Sequence, residues 1–152
     1  MKGTSHHITE STTPIIISKY TPCGVNVEKI VRRILKYNPK EYVQGLQEIV
    51  LLDEAPNKRR FASYWKEKGR IELYVKGIVG WQPWIIKKTF VFPYLSVGLA
   101  LGHEIDHHVC RNQILHFKED HAECNAYKYV YPSFEIFRPL LKLLGLFLGK
   151  SP

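Results

Sequence analysis

The sequence predicts one α+β domain: an N-terminal helix, a small antiparallel sheet with a hairpin, and then a series of helices that ends the chain. Three observations predict this class. The chain has 152 residues, 45% of them hydrophobic, which suffices for a single core. An amphipathic stretch near the N-terminus predicts a helix, and stretches of alternating apolar and polar residues, typical of strands, precede a long apolar stretch that predicts a buried helix. Neither an internal repeat nor a linker divides residues 1–152, so they are expected to form one domain.

The first third of the chain predicts a tail and two helices. Residues 1–13 are rich in Ser, Thr, His and Gly and are expected to be flexible. Residues 27–36 alternate apolar and basic side chains at helical spacing, which predicts the first helix. Pro39 is expected to open a short second helix that ends near residue 46, because proline is tolerated in a first turn.

The middle third predicts strands. Residues 48–53 are apolar and β-branched and are bounded by Ala-Pro-Asn, as expected of a buried strand. Residues 61–65 and 71–76 alternate apolar and polar side chains, and the charged turn 66–70 lies between them. This pattern predicts a β-hairpin.

Two helices are predicted next, and they form an αα-hairpin. The first begins at Pro93 and continues an apolar stripe into a polar cluster. The second covers 114–127, which contains neither Gly nor Pro, with Asn112 as its N-cap. The turn between them is short, so the second helix is expected to run back past the end of the first.

The last residues, 133–152, form an apolar C-terminal segment whose stretch 139–148 is apolar almost all round. Docking on the two preceding helices is expected. The alternatives are a position on a membrane surface and an inhibitory fold over a cleft, which would make the protein latent. Lys142 is the one basic residue at its centre, which argues against a membrane anchor.

Charge is unevenly distributed, with a net +8. Residues 1–92 hold 16 Lys and Arg against 8 Asp and Glu, whereas residues 93–152 hold 6 against 6. A basic surface attracts acidic substrates or nucleic acid. Since no nucleic-acid motif accompanies the charge, a solvated face is the preferred interpretation, with nucleic-acid binding as the alternative.

Three cysteines, Cys23, Cys110 and Cys124, have no disulfide-framework spacing. They indicate free thiols in a reducing compartment, so a cytoplasmic location is expected. The apolar run 14–17 is too short for a signal peptide, and no run approaches the 18 residues of a transmembrane helix.

One pentapeptide carries the chemistry: His103-Glu104-Ile105-Asp106-His107, an H-E-x-x-H motif on the first helix of the αα-hairpin. Histidines four apart project from one helix face, so both imidazoles can bind one Zn²⁺. Glu104 then lies beside the open coordination position, where it can take a proton from water that the metal has acidified. The prediction is one Zn²⁺ per chain, with His103 and His107 as ligands.

A third ligand is expected from the second helix. Glu119 and Glu123 share a helix face with Ala122 and Ala126, whose small side chains permit close helix approach. Acidic groups on such a face are poorly suited to packing. One is therefore expected to bind the metal while the other orients the ligands.

These motifs resemble those of the gluzincins, zinc metallopeptidases such as thermolysin and the catalytic domain of anthrax lethal factor. In that group, H-E-x-x-H is followed by a helix with a Glu, a small residue three later, and often an acid or amide four later. His103, Glu104 and His107 match the first part. Glu119, with Ala122 and Glu123 after it, matches the second, although twelve residues between His107 and Glu119 are few. With a longer turn, Glu123 becomes the ligand.

The resemblance implies a zinc-dependent metallopeptidase that cleaves peptide or protein substrates, with Glu104 as the base. It also implies a substrate strand beside the metal helix, for which 71–76 is the candidate. His108, Tyr127 and Tyr74 are candidates to stabilise the oxyanion. The alternative is a basic module that binds nucleic acid or a protein partner and holds zinc for structural reasons or as a vestige.

Overall fold

A mixed sheet with helices on one face makes up the described part of the chain, residues 13–57, 60–112 and 119–137 of a computed structural model. The α+β class is confirmed. Of the predicted flexible tail, only Thr13 falls within these residues, and of the apolar C-terminal segment only 133–137 does. The predictions for the rest of both segments lie outside the described residues.

The described residues form four strands and five α-helices, and the first strand and the third helix among them were not predicted. The strands are β1 (Ile15–Lys19), β2 (Glu48–Leu52), β3 (Ala62–Trp65) and β4 (Arg70–Tyr74). The helices are α1 (Val27–Tyr37), α2 (Lys40–Val43), α3 (Trp84–Lys88), α4 (Val91–Val109) and α5 (Glu119–Phe134). One π-helical turn (Lys76–Gly80) precedes α3, and a 3₁₀ turn (Cys110–Asn112) follows α4.

The sheet has the strand order β1-β2-β4-β3. β1, β2 and β4 run parallel, and β3 pairs antiparallel with β4 to form the predicted hairpin. The prediction of an antiparallel sheet was therefore wrong. Parallel strands are joined through crossovers, here α1 between β1 and β2, and local alternation does not reveal such long-range pairing.

The position of β4 corrects a second prediction. The stretch 71–76 was expected to be the exposed strand beside the metal helix, but β4 pairs with β2 on one side and β3 on the other. The edge strands among the described residues are β1 and β3. In the described sheet, β3 pairs only with β4, so its other edge is free.

The core lies between the sheet and the helices. Ile49, Leu51, Ile71 and Leu73 are fully buried on one face of the sheet. They belong to one cluster with apolar residues of the helices, namely Val27, Ile30, Val31, Ile34, Val97, Leu101, Ile105, Tyr129 and Val130. In the described part of the chain, no helix combines the length and the apolar character that crossing a membrane requires.

Helix boundaries differ slightly from the predicted ones. α4 begins at Val91, so Pro93 lies inside its first turn, where a missing N–H costs no helix bond. Asn112 ends a 3₁₀ turn, and residues 113–118 lie outside the described part of the chain, so the cap at Asn112 stays a prediction.

The loop after β1 is attached to the end of β2. Asp53 accepts hydrogen bonds from the backbone N–H of Thr21 at 2.8 Å and from its hydroxyl at 3.0 Å. These two bonds hold the pKa of the Asp53 carboxyl below its ordinary value.

Candidate metal centre

The two histidines of the H-E-x-x-H motif converge at the C-terminal half of α4. Their Nε2 atoms lie 3.0 Å apart, with ring centroids separated by 4.7 Å and ring planes at 76°. Both side chains are half-buried. Tetrahedral zinc with bonds of 2.0–2.1 Å separates two ligand nitrogens by about 3.3 Å. His103 and His107 thus present their nitrogens almost at the spacing that one zinc ion requires.

Glu104 lies next to this pair. It is 6% exposed and comes three residues before His107, so the two are neighbours on the helix surface. A carboxylate so buried is costly unless it is paired or lies at a functional site. The order H-E-x-x-H thus places Glu104 on the same helix directly after His103 and three residues before His107.

α5 packs unusually closely against α4. A Cβ built on Gly102 would lie 2.3 Å from the carbonyl oxygen of Ala126, and one on Gly98 would lie 2.7 Å from Cγ1 of Val130. Only glycine allows a backbone approach this close. Ala126 is 4% exposed, so the predicted alanine face does meet α4.

These two contacts also fix the register of the antiparallel helix pair. Gly98 lies level with Val130 and Gly102 with Ala126, so four residues forward along α4 correspond to four residues back along α5. If this register continues along both helices, position 123 of α5 lies level with position 105 of α4, which is midway between the two histidines. Position 119 lies four residues beyond it, about 6 Å farther along the helix.

The side chains of Glu119 and Glu123 lie outside the description, which covers their backbone in α5. Among side chains that the structure describes, no group of three His, Cys, Asp or Glu is placed to hold a metal. The structure thus brings His103 and His107 together, while the role of Glu104 and the third ligand stay predictions.

A buried hydrogen bond links the two helices beside the motif. The hydroxyl of Tyr129 on α5 donates to Oδ1 of Asp106 at 2.9 Å, and both residues are buried. Burial, followed by the bond to Asp106, raises the pKa of Tyr129, so the phenol stays protonated and acts as the donor. Asp106 was predicted only as a variable position of the motif. Asp106 follows Gly98 and Gly102 at four-residue spacing on α4. This position, on the helix face that the two glycines let approach α5, could have indicated a hydrogen-bond partner on that helix.

Cys110 belongs to the same cluster. Its sulfur lies 4.0 Å from Oδ2 of Asp106. Burial and the Asp106 carboxylate raise the pKa of the thiol. Since zinc binds the thiolate, this environment disfavours Cys110 as a ligand.

His108 has a structural role at the end of the motif. It is 1% exposed, and its Nε2 donates to the backbone carbonyl of Gln44 at 3.0 Å. Its Nδ1 therefore accepts from the Tyr64 hydroxyl, also at 3.0 Å. Burial lowers the pKa of His108, which favours this neutral form. Because Tyr64 belongs to β3, the hydrogen bond between Tyr64 and His108 attaches this edge strand to α4.

The other two oxyanion candidates differ in environment. Tyr74 is 2% exposed, and its hydroxyl donates to Glu72 at 3.0 Å. Tyr127 is 55% exposed and follows Glu123 by four residues, on the same side of α5. Tyr127 is the candidate of the three with an open hydroxyl position.

The chain matches no protein-family model, no curated protein and no solved structure at a significant level. The resemblance to gluzincins consequently depends on the residues of α4 and α5 alone.

Proposed function

We propose that the protein is a zinc-dependent peptidase whose centre lies between α4 and α5. The observation that carries this proposal is the pair of Nε2 atoms 3.0 Å apart, and the burial of Glu104, the residue after His103 on the same helix, supports it. Structural zinc sites are typically closed and rich in cysteine. Two imidazoles next to a carboxylate that is not needed as a ligand fit a catalytic site better.

His103, His107 and a carboxylate of α5 would hold the metal. The helix register favours Glu123, since its backbone lies level with the midpoint of the two histidines. Glu119 lies one turn farther on and would orient the ligands instead. When bound, zinc supplies Lewis acidity, which lowers the pKa of water and polarises a carbonyl group.

The residues of the chain would perform the proton transfers and hold the substrate. Glu104 takes the proton of the attacking water and passes it to the departing amine, which is general base and then general acid catalysis. The hydroxyl of Tyr127 would donate to the oxygen that becomes negative at the scissile carbonyl. Its exposure leaves it accessible from the solvent side of the helix pair.

The free edge of β3 would bind the peptide. β3 is an edge strand, and the Tyr64–His108 hydrogen bond keeps it against the metal helix. An extended peptide that pairs with this edge gains main-chain hydrogen bonds independently of its sequence. The substrate strand is thus assigned to Ala62–Trp65 in place of 71–76.

Metal analysis of the purified protein tests the site. We expect one zinc per chain, lost in His103→Ala and in His107→Ala and retained in His7→Ala, a matched change outside the motif. A wild-type protein free of zinc after purification without chelators would refute the proposal.

A second variant separates catalysis from a structural zinc site. Glu104→Gln keeps the ligands, so zinc content and melting temperature should stay unchanged while hydrolysis of a peptide library falls about 10²–10⁴-fold. Glu67→Gln in the hairpin turn is the control. Zinc retained together with equal hydrolysis in both variants would exclude Glu104 as the base. No hydrolysis by wild type, even after removal of residues 139–152, would favour a binding module.

A further inference from the structure

A group of large apolar side chains is exposed around α3, away from the metal centre. Trp81 and Trp84 are each 71% exposed, Ile85 is 66% exposed, and Phe92 at the start of α4 is 49% exposed. We call these four residues the tryptophan patch. Exposed clusters of large apolar side chains mark interaction surfaces, because a solvated position gives them no favourable burial.

The charge around the tryptophan patch has a single sign. Lys87 and Lys88 lie on α3, and the ammonium of Lys88 is 5.7 Å from the centroid of the Trp84 ring. The sequence contains no Asp or Glu between Glu72 and Glu104. The stretch 73–103, which carries the whole patch, is therefore apolar and cationic and has no acidic side chain of its own.

We propose that the tryptophan patch docks on the surface of an anionic lipid bilayer. Tryptophan side chains suit the membrane–water boundary, since they combine a large apolar ring with one polar N–H. Lysines beside them can keep their ammonium groups at the level of the phosphates while their stems lie in the apolar layer. The excess of Lys and Arg in residues 1–92, 16 against 8 acids, adds long-range attraction to the same kind of surface.

The geometry of α4 is compatible with a working site above the membrane. Phe92 precedes His103 by eleven residues, which is about 16 Å along the helix. Interfacial side chains enter a bilayer by roughly 5–10 Å. If α4 stands upright on the membrane, docking through the patch leaves the histidine pair in water. The proposal does not depend on the metal, so its failure and that of the peptidase proposal are separable.

Cosedimentation of the full chain with vesicles tests the docking. We expect binding to phosphatidylcholine vesicles that contain phosphatidylserine and much weaker binding to phosphatidylcholine alone. Trp81→Ala/Trp84→Ala should abolish binding, whereas Trp65→Ala should retain it. Trp65 is the matched control because it is an exposed tryptophan, at 47%, on β3.

Charge variants give an independent measure. Each lysine near an anionic surface contributes about fivefold in binding, so Lys87→Gln/Lys88→Gln should weaken it about 30-fold. Lys66→Gln/Lys68→Gln in the hairpin turn should change it only slightly. Far-UV circular dichroism establishes that every variant is folded.

Fluorescence locates the contact. In Trp65→Phe, Trp81 and Trp84 are the remaining tryptophans, and their emission should shift to shorter wavelength when phosphatidylserine vesicles are added. Failure of wild type to bind such vesicles would overturn the proposal, as would equal losses in the patch and control variants. Binding to polyglutamate without binding to vesicles would also overturn it, because it would indicate an acidic protein partner.

Discussion

Replacement of Gly102 by alanine probes the contact between α4 and α5 on which the proposed metal centre depends. The new Cβ would lie 2.3 Å from the carbonyl oxygen of Ala126 and 3.1 Å from its carbonyl carbon. Ordinary C···O contacts begin near 3.3 Å, so the two helices would have to separate by about 1 Å. Both atoms belong to the backbone, and no side-chain rotation can relieve the clash.

The change in unfolding free energy is the difference between the cost of the clash and the gain in helix propensity. Overpacking costs about 1–3 kcal/mol, and a backbone clash belongs at the upper end. Alanine gains about 1 kcal/mol over glycine in helix propensity. We expect Gly102→Ala to lose about 2 kcal/mol of unfolding free energy, which is about 4–8 °C in melting temperature for a chain of this size. Zinc affinity should fall at least about tenfold, since α5 moves away from the histidines.

Urea unfolding and a competitive zinc titration measure the two effects. Gly98→Ala is the graded control, because its Cβ would meet the side chain of Val130, which can move. It should be less damaging than Gly102→Ala. A Gly102→Ala protein more stable than wild type, with unchanged zinc affinity, would mean that the helices are not in contact at this point.

Four further predictions concern single groups. Glu123→Gln should largely empty the zinc site at modest chelator concentrations, whereas Glu119→Gln should cost only about 10–100-fold in affinity; the reverse order would refute the helix register. Tyr127→Phe should lower kcat about 10²-fold with little change in zinc content, as expected when one oxyanion donor is lost, and an unchanged kcat would remove Tyr127 from the mechanism. Tyr129→Phe removes a buried hydrogen bond to a carboxylate and should reduce the unfolding free energy by about 1.5–3 kcal/mol in urea. The pKa of Asp53 is lowered in the folded chain, chiefly by the backbone hydrogen bond from Thr21. The ionised carboxylate therefore stabilises the fold above the unfolded-state pKa, and this stabilisation is lost as the pH falls through the folded-state pKa. The melting temperature of Asp53→Asn should consequently fall less steeply with decreasing pH than that of wild type.

Features set by local periodicity could be predicted from the sequence. α1, β2, the β3–β4 hairpin and α4 all have patterns that span one element or two adjacent ones. The histidine pair is of the same kind, since an i, i+4 spacing on a helix brings two imidazoles together regardless of the rest of the fold.

Features set by packing between distant segments could not be predicted. The parallel pairing of β1, β2 and β4 depends on a crossover, which local alternation does not reveal. The β-branched run 15–17 is a strand signal that was considered only as a signal-peptide core. The roles of Asp106 and His108 depend on Tyr129 and Tyr64, which lie 23 and 44 residues away. The proposed preference for Glu123 over Glu119 as ligand depends on the level at which α5 meets α4, which is seen only at the contacts of Gly98 and Gly102.

β1 gives the sheet a second edge, far from the metal centre. Within the described residues β1 pairs with β2 alone, and its residue Ile15 is 68% exposed. An apolar edge strand is a template for pairing with another copy of the chain. Since three interstrand spacings, about 14 Å, separate it from β3, such pairing would leave the β3 edge open. Self-association through β1 at high concentration should accordingly leave the proposed peptide binding at β3 unchanged. Light scattering would then detect pairing at the β1 edge, and peptidase activity would detect whether the β3 edge is still accessible.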